Sequence, residues 1–182
     1  MPDDRLPGWF AEGHRRLLRI LREAPPDLAC WTFLPGSPTP RAFRARRQAH
    51  ETTVHRVDAE LASGPAPGRI GPAFAADGID ELLTGFHSRP KSRLRHVPPR
   101  VLRVTAPGAA PWTLRLSREP PRVSREDGIP ADCVIGGPAE VLHLALWNRW
   151  PHGGAPAGEV TVEGDAELAA LWRTAAAVRW DD

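Results

Sequence analysis

The apolar positions Leu6, Trp9, Phe10, Gly13, Leu17, Ile20 and Leu21 fall three or four residues apart, which is the period of an amphipathic helix. Pro25-Pro26 ends it, because proline supplies no N–H and clashes with the preceding turn. From Asp27 to Pro40, Cys30, Trp31, Phe33 and Leu34 stand among prolines and glycines. That mixture predicts a long ordered loop pinned by its aromatics. Thr39 then offers an N-cap hydroxyl and Pro40 a preset first helical residue. The stripe Phe43, His50, Val54, Val57 and Leu61 predicts a second helix to about Ala62, stopped by Ser63-Gly64-Pro65.

The Pro- and Gly-rich stretch Gly64 to Gly71 marks a domain boundary. It divides the chain into a helical part (1–63), a linker (64–76) and a C-terminal domain (77–182). In the last, Gly78 to His87 carries a short helical period. Val101 to Val104 and Trp112 to Leu116 alternate as strands about a Pro107 to Pro111 turn. Ala131 to Ile135 and Val160 to Val162 predict two further strands, and Ala139 to Trp147 and Ala166 to Ala176 two helices. The fold class expected is therefore α+β: helices first, then a small mixed α/β domain with a mainly antiparallel sheet.

Composition narrows the function classes. The 182 residues are 41% hydrophobic, and 21 prolines and 16 glycines assign much of the chain to loops. Lys91 is the single lysine among 24 basic residues, and a net charge of +2 with 22 acidic residues argues against a dedicated nucleic-acid binder. No apolar run reaches the roughly 18 to 20 residues that span a bilayer, and the start Met-Pro-Asp-Asp is acidic where a signal peptide is basic. Cys30 and Cys133 form no CxxC pair and suit two free thiols, Cys133 within an apolar run. A cytoplasmic protein without membrane association is expected.

The chemistry concentrates in Ala49-His50-Glu51-Thr52-Thr53-Val54-His55-Arg56-Val57-Asp58. At about 100° per residue, Glu51 and His55 lie on one helix face one turn apart, with Arg47 and Asp58 on the same stripe. A carboxylate and an imidazole so placed can converge on a metal ion. His50 points about 140° from His55 on the same arithmetic, so the two histidines cannot chelate together as in an HExxH zinc motif. The same spacing equally suits an i, i+4 ion-pair ladder of Arg47, Glu51 and His55. Residue types alone leave both readings open.

The run Phe43-x-x-Arg46-Arg47-x-Ala49-His50-Glu51-x-x-Val54-His55-Arg56-x-Asp58-Ala59-Glu60 resembles the metal-binding helix of the mycothiol-dependent maleylpyruvate isomerase family, whose helical bundle is similar to DinB-like proteins. Gly137-Pro138-Ala139-x-x-Leu142-x-Leu144-x-Leu146-Trp147-x-Arg149, followed by Val162-x-Gly164-Asp165, resembles that family's second domain. The resemblance implies that the first domain is part of a DinB-like metal-binding bundle, shortened at its N-terminus. It also implies that Glu51 and His55 are metal ligands. The family's third ligand is a histidine on an upstream helix that this sequence does not contain, and His14 is poorly placed to replace it.

What the resemblance implies for function is a metal- and mycothiol-dependent isomerase or thiol (S-)transferase. The alternative is a non-catalytic DinB-like relative acting as a binding or stress-related protein. The implied cofactors are a divalent metal, zinc foremost given its taste for imidazole and carboxylate, and mycothiol. The implied partners are a small-molecule thiol and its substrate. Arg149 is the candidate catalytic residue, as a clamp for a substrate carboxylate. The Arg-rich loop Arg89, Lys91, Arg93, Arg95, His96 and Arg100 reads as a solvated surface, and Trp31, Trp112, Trp147, Trp150 and Trp172 as core or domain-interface residues. Two helices leave an apolar face open, so a homodimer through the open bundle face, or packing on the α/β domain, is expected.

Overall fold

The computed structural model describes residues 2–64, 67–149 and 159–176. The chain divides into two compact units, Met1–Thr52 and Thr53–Asp182.

In the first unit, α1 (Leu6–Glu23) is an 18-residue helix with Pro7 in its first turn. None of its residues is buried, and Leu6, Trp9, Phe10 and Ile20 are exposed on the predicted apolar stripe. The loop after Pro26 is tied to helix α2 (Pro40–Ser63), which runs through the division between the units. Arg41 donates to the Ala24 carbonyl and Arg44 to that of Trp31, each at 2.7 Å. Phe33 meets Phe43 edge-on with ring centroids 5.1 Å apart, and Leu34 and Phe43 are buried. Trp31 does not join this core: it is 72% exposed, touching Phe33 from outside. Thr39 caps α2 as its sequence predicts, its hydroxyl accepting from the Ala42 N–H at 3.1 Å.

In the second unit, α3 (Pro72–Asp80) runs on into wider π-helical turns over Glu81–Phe86. This helix starts six residues before Gly78, where its apolar period becomes readable. Gly71-Pro72 provides the start, with Pro72 at the first helical position. A five-stranded sheet follows, with order β3-β2-β1-β4-β5. Its strands are β1 (Arg100–Thr105), β2 (Trp112–Leu116), β3 (Arg122–Ser124), β4 (Cys133–Gly136) and β5 (Thr161–Gly164). The β1–β4 pair is parallel and the other three are antiparallel.

The register lines up Leu102 with Leu114 and Cys133, and Val104 with Trp112 and Ile135, so two buried rows cross the three central strands. Helix α4 (Ala139–Leu146) packs on α3, and α5 (Ala166–Ala175) on β4 and β5. Asp165 caps α5 by accepting from the N–H groups of Glu167 and Leu168. Trp112, Trp147 and Trp172 are buried as the sequence suggests, whereas Trp150 lies outside the described residues. No described helix is long and apolar enough to cross a membrane.

Candidate functional site

The first unit contains one of the two residues expected to hold metal. Glu51 lies one turn beyond Arg47 on α2, and Arg47 aims two donors at the same carboxylate oxygen: Nε at 3.1 Å and Nη2 at 2.5 Å. The Arg47 side chain is only 5% exposed, that of Glu51 35%. This is the first rung of the ion-pair ladder that helical spacing allowed.

The second unit brings together His55, Asp58 and Arg149. His55 Nδ1 lies 3.1 Å from Asp58 Oδ2, three residues on. The other oxygen of that carboxylate, Oδ1, accepts from Arg149 Nε, also at 3.1 Å. Arg149 is placed by the end of α4. Asn148 adopts a left-handed φ of 56°, which asparagine tolerates well, and Arg149 Nη1 donates to the Trp147 carbonyl at 2.9 Å. With the carboxylate accepting from Nδ1–H, the neutral imidazole carries its lone pair on Nε2. A carboxylate behind one ring nitrogen is the usual means of orienting a histidine that ligates a metal or accepts a proton through the other.

Catalytic zinc requires three protein ligands. Among the described residues, no group of three or more His, Cys, Asp or Glu is arranged to hold a metal ion. The Glu51 carboxylate is engaged by Arg47, and His14 stands exposed on α1. Glu51 and His55 are the right donor types, but the described residues do not fit a complete catalytic centre.

The Arg-rich loop makes no single anion cradle. Arg89 packs 5.0 Å over the Phe86 ring, and burial lowers its pKa from the ordinary value. Arg93 donates to the Thr174 carbonyl, and Arg95 to those of Leu94 and Pro90. These guanidinium groups tie the loop to nearby backbone.

Comparison with protein families supplies the context for this geometry. The mycothiol maleylpyruvate isomerase N-terminal domain matches residues 1–60, and the C-terminal domain of the same proteins matches residues 73–171. The chain belongs to the mycothiol maleylpyruvate isomerase family. Among curated proteins, none matches it. A solved structure titled UbiJ-SCP2 ubiquinone synthesis protein is similar at 27% identity, covering 57% of this chain and 94% of that one, with a TM-score of 0.38. A double mutant of the sec-alkyl sulfatase PisA1 is similar at 13% identity, covering 68% of this chain and 20% of that one, with a TM-score of 0.44. The MycE methyltransferase of mycinamycin biosynthesis is similar at 18% identity, covering 69% and 36%, with a TM-score of 0.37.

In this mycothiol maleylpyruvate isomerase family member, the residue that sequence reasoning passed over is Asp58. Its place on the Glu51–His55 stripe was visible, and its i+3 spacing from His55 is the signal for the contact. Its second partner, 91 positions away at Arg149, has no local signal.

Proposed function

We propose that the chain is a mycothiol-dependent isomerase or thiol (S-)transferase. The observation that carries this reading is the ordered match of both family domains, over residues 1–60 and 73–171. A thiolate that adds to an activated alkene allows rotation about the former double bond and then leaves, which turns cis into trans. The thiol belongs to the cofactor, so neither Cys30 nor Cys133 is required as nucleophile. His55, oriented through Nδ1 by Asp58, is the residue suited to take the thiol proton. Arg149 supplies the positive charge beside it for an anionic substrate. The metal-ligand reading of Glu51 and His55 is the other route to the thiolate within this proposal: a metal held on His55 Nε2 would lower the pKa of a bound thiol in place of proton transfer to that nitrogen, and it requires a further donor from beyond the described residues.

Turnover of maleylpyruvate by the purified chain, measured with and without mycothiol, tests the reading, alongside metal content after dialysis. Thiol-dependent isomerisation that falls at least about a hundredfold in His55→Ala is expected if His55 handles the proton. Absence of turnover with thiol and added zinc, manganese or nickel overturns it. The second reading is a non-catalytic binding member of the family. The Arg47–Glu51 pair favours it, since a metal at Glu51 must displace that contact.

A further inference from the structure

We infer that Asn148 is a positioning residue: its left-handed backbone turns the chain at the end of α4 so that Arg149 reaches Asp58. The inference rests on the proposed reading of Arg149 as the positive charge for an anionic substrate. It adds which residue holds that charge in place and which nitrogen is left to use.

A helix ends in four carbonyls that its own turns cannot satisfy. At the end of α4 all four have partners. The Arg149 N–H donates to the Leu144 carbonyl at 2.9 Å and the Asn148 N–H to that of Ala145 at 3.0 Å. These two bonds close a Schellman turn, which needs a left-handed residue just beyond the helix. Asn148, with a φ of 56°, is that residue, and among the described residues it is the single non-glycine with a positive φ. Trp172 Nε1 donates to the Leu146 carbonyl at 2.9 Å, and Arg149 Nη1 to that of Trp147. A residue of negative φ at 148 breaks the first two bonds and carries Arg149 away from the last.

The Asn148 side chain is exposed and makes no hydrogen bond among the described residues, so what it contributes is backbone shape. On its other side the turn is anchored by Trp147, which is buried and meets Phe86 edge-on with ring centroids 5.4 Å apart. Arg149 is therefore delivered to a carboxylate 91 positions away from a fixed base. Two guanidinium nitrogens are then engaged, Nε by Asp58 and Nη1 by the Trp147 carbonyl, while Nη2 has no acceptor among the described residues. An incoming carboxylate meets Nη2 rather than the two-pronged edge formed by Nε and Nη2. Where Asn148 holds that nitrogen decides which anion fits.

The test is the Arg149 Nε–H resonance of the isotope-labelled full chain, identified by its loss in Arg149→Lys. Asn148→Gly, which adopts the left-handed conformation freely, should keep the resonance in place. Asn148→Val, a β-branched residue strained at positive φ, should shift or lose it. If circular dichroism shows that Asn148→Val does not fold, the milder Asn148→Ala decides, with a partial shift expected. With maleate as the probe anion, Arg149→Ala and Asn148→Val should each weaken binding about tenfold, the loss of one charge-assisted hydrogen bond. The second change should add nothing to the first. A resonance unmoved in folded Asn148→Val or Asn148→Ala overturns the inference and leaves Asn148 as an ordinary helix ending; so does equal loss in Asn148→Gly. Maleate bound by Arg149→Ala as tightly as by the parent sinks the anion-binding reading of Arg149 instead, and the resonance still judges Asn148.

Discussion

Arg149 donates from Nε to Asp58 Oδ1 at 3.1 Å, while the other oxygen of the same carboxylate takes Nδ1 of His55. One acid thus links the imidazole singled out by the helical motif to the arginine singled out by the C-terminal motif. The family domains that carry these two residues are separate matches along the chain. The acid orients one group and balances the other.

The Arg149–Asp58 pair is partly exposed at both ends, so its contribution to stability is modest. A double-mutant cycle with Arg149→Ala and Asp58→Ala, read by urea unfolding, should give a coupling of about 0.5 to 1 kcal/mol that shrinks with salt. Activity should respond far more than stability if Asp58 orients His55.

Stability should fall in acid because of His87. Burial, with a smaller contribution from the Arg89 charge, pushes its pKa down to about 4. A base whose folded pKa lies below its unfolded value favours folding while neutral, and the unfolded chain takes up the proton first. The His87 contribution is therefore complete above about pH 6.5 and is lost as the pH falls toward 4, amounting to about 3 kcal/mol at most. His87→Leu should flatten the slope of unfolding free energy between pH 7 and 4.5 relative to the parent. An unchanged slope would mean that other groups carry it.

Gly164 ends β5 at a φ of +84°, and a Cβ there would lie 2.3 Å from the Asp132 carbonyl oxygen. Gly164→Ala should lower stability by about 2 kcal/mol or more, through both backbone strain and the clash. Gly128→Ala, where nothing lies within 4 Å, should stay within about 0.5 kcal/mol in the same urea titration.

Much of this architecture was legible in the chain. Thr39-Pro40 marked the start of α2, and the 107–111 turn marked the hairpin of β1 and β2, because caps and tight turns are encoded locally. The early turns of α3 were not, since Ala73, Ala75 and Ala76 carry little amphipathic contrast. Nor was β3, three residues following Pro120-Pro121 and held by pairing with β2. The parallel pairing of β1 with β4 brings distant segments together, and local pattern does not encode it. The same division holds at the site: helix spacing put Glu51, His55 and Asp58 on one stripe, while Asp58's bond to Arg149 is a tertiary event.

The two outermost strands of the sheet, β3 and β5, are three and four residues long, with Arg122 on one and Glu163 on the other. Such brief, charged margins offer another polypeptide too few backbone groups to extend the sheet, a recognised safeguard against runaway aggregation. Any lawful self-recognition by this chain is thereby steered away from strand addition and toward contacts between side chains.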